Sequence, residues 1–232
     1  MITFLHTHYM VFMVQLGNKY LNICKIGEYY MKPLIKQTQL YRFLNYCNEC
    51  DLEKTILDCG AGGDCPPLAL FSECGYKTYG IEISDSQIEK AKVFSQQYGI
   101  ELNISKGDMR KLSFEDESIS YIYSYNSIFH MIKKDITKSV NEIKRVLKPG
   151  GLCCINFLSL YDSGYGEGNQ LGENEFLQIE RGEQVIHTYY DIDEAELHFN
   201  DMKILFKENR ILERIYEGKK IKQGYIDYIV QK

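Results

Sequence analysis

The stretch that most constrains this chain runs from Thr55 to Glu82, TILDCGAGGDCPPLALFSECGYKTYGIE. An apolar strand signal, Ile56 and Leu57 followed by Asp58, runs straight into the turn Gly60-Ala61-Gly62-Gly63. A short helical segment over Pro66 to Cys74 comes next, then a second strand, Lys77 to Ile83, with Glu82 near its end. Strand, glycine turn, helix and a strand ending in an acid is the pattern with which an open α/β sheet holds an adenosine-containing cofactor. Glycine lets the backbone approach a ligand where a Cβ would clash. The acid after the second strand is placed to accept both hydroxyls of a ribose.

The details of the turn discriminate between cofactors. A nicotinamide fingerprint wants glycine at the first, third and sixth positions, and from Gly60 the sixth position is Cys65. Asp64 would also face the negative pyrophosphate of a dinucleotide, which is unfavourable. Asp58, two residues before the first glycine, points instead to a ligand carrying an ammonium group. S-adenosylmethionine has that ammonium, no phosphate, and a ribose for Glu82.

On Leu57-Asp58-Cys59-Gly60-Ala61-Gly62 the chain resembles the class I methyltransferases that use S-adenosylmethionine, with Asp64 where that family usually has a third glycine. A second motif supports the resemblance. Leu147-Lys148-Pro149-Gly150-Gly151 precedes a fifth strand, Leu152 to Leu158, about 90 residues after the first motif. The two matches cover roughly Thr55 to Ser159. The resemblance implies an α/β fold, Rossmann-like and doubly wound, with a seven-stranded, mostly parallel sheet. A terminal antiparallel hairpin, Arg210 to Tyr216 with Gly224 to Val230, would close that sheet, and a β segment over residues 169–209 would be inserted before it.

The same resemblance assigns site residues. Asp58, Gly60, Gly62, Glu82 and the next residue, Ile83, would hold the methionine end and the ribose. Asp108, after the short strand Leu102 to Lys106, would accept a hydrogen bond from the adenine amino group, and Met109 would pack on its ring. Tyr125, ending the fourth strand Ile119 to Tyr125, would face the methyl group. His130, just beyond, is the best-placed candidate for a catalytic base, and packing under the cofactor helix is its alternative. Residues 27–50 would form an N-terminal helical cap with its stripe on Leu34, Leu40, Tyr41 and Leu44; Tyr29 and Tyr30 read first as aromatic packing, with contact to the methionine end as the alternative.

Further elements follow from local pattern. Ser84-Asp85-Ser86-Gln87 reads as a capping box opening a helix that ends at Tyr98 before Gly99. Thr137 to Leu147 is an amphipathic helix with its stripe on Val140, Ile143, Val146 and Leu147. Phe176 to Arg181 and Gln184 to Tyr190 form a hairpin about Gly182. Glu194 to Asn200 and Lys203 to Lys207 are expected to pair beside it. Gly164, Gly166, Gly168 and Gly172 would let the inserted segment act as a lid, carrying His187, Tyr189 and Tyr190 toward the acceptor. The competing reading makes those three residues the hairpin's packed face.

Composition narrows the partners. A chain of 232 residues fits one α/β domain, and a net charge of −5 provides no basic footprint for nucleic acid or an anionic membrane. Amino-group methyltransferases of DNA carry Asn/Asp-Pro-Pro-aromatic where this chain has Ser124-Tyr125-Asn126-Ser127, and no proline-cysteine nucleophile of a cytosine C5 enzyme is present. No apolar run reaches the roughly 18–20 residues that span a bilayer. Residues 1–26 read as a loosely ordered leader. His6, His8 and Gln15 interrupt its opening and no basic region precedes it, unlike a secretory signal. Cys47-Asn48-Glu49-Cys50 lacks a second ligand pair, and two histidines in the leader do not supply one, so no metal is expected and the cysteines read as reduced and cytoplasmic. The expected protein is a methyltransferase acting on a small-molecule acceptor. Methylation of a protein or RNA side group, and a catalytically silent cofactor-binding protein, stay open as alternatives.

Overall fold

The computed structural model describes residues 12–16, 19–23, 35, 37–180, 182–216 and 218–232. Tyr29, Tyr30, Leu34, His6 and His8 lie outside the described residues. Within the leader, β1 (Phe12–Leu16) and β2 (Lys19–Ile23) pair antiparallel, where the sequence carried no strand signal strong enough to predict them.

The central sheet begins with β3 (Thr55–Cys59), every residue of which is buried. A strand covered on both faces needs a continuous apolar run, and Ile56 and Leu57 supply it. It is flanked by β4 (Lys77–Glu82) and β6 (Ile119–Ser124), with β5 (Ile104–Lys106) outside β4 and β7 (Leu147–Ser159) outside β6, all parallel. Beyond β7 the sheet turns antiparallel through β12 (Lys219–Gln231), which pairs in turn with β11 (Lys203–Tyr216). The order β5-β4-β3-β6-β7-β12-β11 is the expected seven-stranded sheet with its terminal hairpin.

Helices cover both faces. On one side lie α1 (Thr38–Asn48), α2 (Leu68–Glu73) and α3 (Asp85–Tyr98), whose Leu40, Phe43, Leu68, Phe71 and Phe94 share a core with Tyr121 and Tyr123 of β6. On the other, α4 (Lys133–Val146) buries Ile136, Val140, Ile143 and Val146 against Leu57, Ile122 and Ile155. The stripe of α1 differs from the expected one. Leu40, Phe43, Leu44 and Cys47 are buried at helical spacing, while Tyr41 stays 40% exposed. Cys47 is thus a core residue, and burial pushes its thiol pKa upward. Among the described residues no group of three or more His, Cys, Asp or Glu side chains is arranged to hold a metal ion, and no helix is long and apolar enough to cross a membrane.

Two local expectations are corrected. Ser84 stands at the N-cap of α3, yet its side chain makes no capping bond. In a capping box the side chain three residues on would take the N-cap N–H, but here Glu82 Oε1 accepts it at 2.9 Å, which leaves no return bond for Gln87 to make. The second correction concerns the inserted segment. Its strands are β8 (Asn169–Gly172), β9 (Glu175–Glu180) and β10 (Glu183–Tyr190), an antiparallel set. Residues Glu194–Phe199 then form a 3-10 helix instead of a strand, and Lys203 onward belongs to β11. Ala195 and Phe199 explain the helix, because both are buried against α4 and β12 in the main core.

The insert is docked on the sheet. Tyr189 and Tyr190 of β10 pair in parallel with Leu158 and Ser159 of β7, beyond the point where β6 stops. Thr188 also donates to the carbonyl of Met131 at 2.6 Å.

Because Phe43 lies at the centre of the α1 contact, touching Phe71 and Tyr123 at ring distances of 6.1 and 6.4 Å, its loss should be costly. Phe43→Ala is expected to lower the unfolding free energy by about 3–5 kcal/mol in urea titration, whereas Tyr41→Ala should change it by only about 0.5 kcal/mol.

Candidate active site

The carboxyl ends of β3, β4 and β6 converge on one edge, where the register sets Asp58 between Gly80 and Tyr123. Asp58 is buried, and burial, with a smaller contribution from the Glu82 carboxylate, raises its pKa to about 8. The Tyr123 hydroxyl opposes that shift from nearby, although it has no partner in hydrogen-bonding geometry among the described residues. The carboxyl is therefore poised to ionise when a cation approaches.

The turn after β3 is shaped by what its glycines leave out. Gly60, at φ +106°, and Ala61 both donate to the Ile81 carbonyl, at 2.9 and 3.0 Å, which folds the turn back onto β4. A Cβ on Gly60 would overlap the side chain of Ser127. One on Gly62 would come 2.5 Å from Gln87 Cβ and 2.8 Å from Glu82 Oε2. Gly63, at φ +104°, carries the second left-handed residue, so position 64 has no need of glycine and Asp64 stands exposed at the rim. Glu82 accepts hydrogen bonds from Gly62 N–H at 3.2 Å and Ser84 N–H at 2.9 Å. Each carboxylate oxygen keeps a further lone pair for a ligand hydroxyl.

Two cavities flank this turn, of about 430 and 400 Å³. The first is walled by Ile83, Asp108, Met109, Met131 and Ile186. The second is walled by Asp58, Gly62, Gln87, Tyr125 and Asn126, with Gln37 from the N-terminal side. Gly60, Glu82, Ser127 and His130 line both. All nine residues that the sequence singled out thus meet at one cleft.

Their partners add what the sequence could not show. Asp108 is gripped by Arg110, whose Nε lies 3.0 Å from both carboxylate oxygens and whose Nη2 lies 2.6 Å from Oδ2, and this holds its pKa below the usual carboxylate range. Arg110 also reaches Asp135 of α4 at 2.8 Å, bracing the loop after β5. Tyr125 donates to Gln39 Oε1 at 2.8 Å and accepts from Arg210 at 3.2 Å, which ties α1 to the terminal hairpin. Asn126, held at φ +58°, exchanges two 2.7 Å bonds with Asn156. Gln37 Oε1 is buried at the cleft with no hydrogen-bond partner among the described residues.

His130 closes a one-turn 3-10 helix, Ile128–His130, after β6. Its Nδ1 lies 3.3 Å from the Ile186 carbonyl, which only accepts, so Nδ1 carries the proton and Nε2 the lone pair. Burial, then the neighbouring His187, lowers its pKa to about 4, and the ring is neutral at neutral pH. The neighbouring insert behaves as a wall. Tyr189 and Tyr190 are buried in packed clusters and His187 bonds Gln178 at 2.6 Å, so the packed-face reading describes all three. Ile186 is the β10 residue that lines the cleft, with no polar signature to reveal it in sequence. The glycines before the insert are packed too, with Gly168 against the Leu177 backbone and Gly164 N–H donating to Asp162.

Comparison with known proteins agrees with this geometry. A family described as a methyltransferase domain matches residues 57–155. A methyltransferase structure from Methanosarcina mazei superposes with a TM-score of 0.65 at 23% identity, covering 81% of this chain and 96% of that one. The PH0226 protein of Pyrococcus horikoshii OT3 gives 0.65 at 20% identity, covering 84% and 92%. At that identity these likenesses concern the fold. Residues 57–155, less than half of the chain, thus match a methyltransferase domain, and the fold is shared with S-adenosylmethionine-dependent methyltransferase structures. Among curated proteins, sterol 24-C-methyltransferase of Saccharomyces cerevisiae is 29% identical over 159 residues, 66% of this chain. An uncharacterised methyltransferase of Bacillus subtilis is 34% identical over 104 residues, 44% of this chain and 40% of its own length. The chain spans about 40% of the length of the sterol enzyme from Saccharomyces cerevisiae.

The cleft fits S-adenosylmethionine, the cofactor that the sequence resemblance implies, on three observations. A cradle exists that two Cβ atoms would fill, an unpartnered amide oxygen on Gln37 can receive an ammonium, and Glu82 keeps free lone pairs. Gly62→Ala should displace the Glu82 carboxylate and weaken S-adenosylhomocysteine binding about tenfold or more in calorimetry. The Asp58 pKa yields a second expectation. With a value near 8 the free protein holds this proton at pH 7, and an ammonium bound nearby favours its loss. Binding at pH 7 should therefore release up to one proton, read from calorimetry in buffers of differing ionisation enthalpy, and Asp58→Asn should abolish that release.

Proposed function

We propose that this chain transfers the methyl group of S-adenosylmethionine to a small-molecule acceptor. The observation that carries the reading is the pair of contiguous cavities sharing Gly60, Glu82, Ser127 and His130. In this reading Ile83, Asp108 and Met109 hold the adenine, with Asp108 kept ionised and oriented by Arg110. Glu82 takes the ribose hydroxyls, while Asp58, Gly62 and Gln37 hold the methionine end and Tyr125 faces the methyl. When bound, the cofactor supplies a sulfonium-activated methyl for in-line displacement, and the protein's contribution is largely positioning. The N-terminal helix, the insert and the terminal hairpin then act with the sheet as one domain around a concave site, the shape that suits a small acceptor better than a flat macromolecular surface.

His130 enters as a neutral residue whose Nε2 accepts a hydrogen bond from the acceptor or orders it. A group with a pKa near 4 is too weak to strip a proton from a hydroxyl efficiently, so an acceptor that arrives as a free nucleophile fits best. His130 stays neutral at all pH values above about 5, so kcat should show no limb from it between about pH 5.5 and 8. His130→Ala should lower kcat about ten- to a hundredfold while S-adenosylhomocysteine affinity stays near that of the unsubstituted protein.

The reading is tested by calorimetry followed by turnover. S-adenosylmethionine and S-adenosylhomocysteine should bind and NADH should not, and release of S-adenosylhomocysteine should follow addition of a member of a small-molecule library. Tight NADH binding without heat from S-adenosylmethionine would overturn it. Cofactor binding with no turnover of any small molecule would favour a silent binding protein or a macromolecular acceptor.

A further inference from the structure

A third cavity, of about 430 Å³, opens beside the cofactor cleft and is not used by the cofactor in the reading above. Gln37, Tyr125 and Asn126 line both it and the cleft, so it begins where the methyl group would be presented. Its far wall is the terminal hairpin, which contributes Arg210, Arg214 and Tyr225. Among the described residues the lining contains two arginines and no Asp or Glu.

The two arginines differ in what they already hold. Arg210 is largely buried and neutralised by Asp227, with Nε 2.8 Å from Oδ2 and Nη2 3.2 Å from Oδ1. It also donates to Tyr125 and lies 4.6 Å from the ring centre of Tyr225, so its role is to build the wall. Arg214 lies four residues further along β11, at the exposed end, and has no carboxylate partner among the described residues. Among the described residues the cavity therefore carries one uncompensated positive charge, on a flexible side chain able to close over a ligand.

We infer that this cavity is the acceptor site, that its substrate carries an anionic group, a carboxylate or a phosphate monoester, and that Arg214 selects it. The inference rests on the methyltransferase reading and deepens it. A sterol, the acceptor class named for the sterol 24-C-methyltransferases, would meet a guanidinium, the amides of Gln37, Gln39 and Gln223, and little apolar wall beyond Leu212 and the Tyr rings. An anion seated on Arg214 gains a charge-assisted, planar contact and leaves the rest of the molecule directed toward Tyr125 and Asn126. The left-handed Asn126, clamped by Asn156, holds the passage between the two cavities.

The test uses the full chain and a panel of small carboxylates and phosphate monoesters, their neutral methyl esters and amides, and cholesterol as a sterol probe. S-adenosylhomocysteine release is the readout. Turnover is expected with members of the anionic set and not with their neutral counterparts, and the arm that responds tells carboxylate from phosphate. Arg214→Gln should raise KM for the best anionic acceptor by about tenfold, Arg214→Lys should restore part of it, and added salt should raise KM for the unsubstituted protein. Arg214→Gln should leave S-adenosylhomocysteine affinity unchanged, which shows that the fold and the cofactor site persist. Turnover confined to neutral acceptors or cholesterol, no turnover of any anionic member, or an Arg214→Gln KM equal to the original would each overturn the inference. Failure of the cofactor itself to bind would instead overturn the methyltransferase reading on which it rests.

Discussion

The cleft depends on a clearance. Gly62 passes so close to Glu82 and Gln87 that no side chain fits, and its N–H uses that closeness to bond the Glu82 carboxylate at 3.2 Å. The carboxylate is thereby held between two backbone donors, one in the glycine turn and one at the start of α3. The same contact removes the return bond from the expected capping box. One short-range fit links the first strand, the second strand and the helix that follows it.

Charge is managed differently on the two sides of that fit. On the side of the loop after β5, Asp108, Arg110 and Asp135 form an open, hydrogen-bonded set that keeps the carboxylates ionised and the loop fixed to α4. On the side of the glycine turn, Asp58 is buried without a cationic partner among the described residues and retains its proton near neutrality, so its charge would appear with a bound cation. His130 lies between them in a third condition, neutral through burial and the adjacent His187. A cleft of this kind meets a cationic ligand with a buried carboxyl ready to ionise.

The elements around the sheet share its edge unequally. Among its described residues the insert contributes Ile186 to the cleft and spends its aromatic side chains on packing, Phe176 and Tyr189 beside Phe129 and Leu158, Tyr190 and Phe199 in the main core. The terminal hairpin and α1, which look peripheral in sequence, contribute Arg210, Arg214, Gln37 and Gln39 to the space next to Tyr125. In the proposed reading, acceptor recognition moves from the insert to the opposite wall.

What the sequence determined by itself is local and backbone-driven. The turn at Gly60 to Gly63, the acid closing β4, the buried strands and the order leading to a terminal hairpin all follow from spacing and from residues whose conformational or burial preferences are strong. Asp58, Glu82, Asp108, Tyr125 and His130 were legible because each lies at or just beyond a strand's carboxyl end, and those ends converge in a parallel sheet. Tertiary structure decided what has no local signature. The Arg110 grip on Asp108, the Asn126–Asn156 pair and the Ile186 carbonyl on His130 join residues 2 to 56 positions apart. The segment Glu194–Phe199 became helical because Ala195 and Phe199 had a core to enter. The stripe of α1 rotated from Tyr41 to Phe43 because an aromatic cluster with Phe71 and Tyr123 awaited it. Such choices are made by the neighbours that the folded chain supplies, and a side chain's own pattern in the sequence does not contain them.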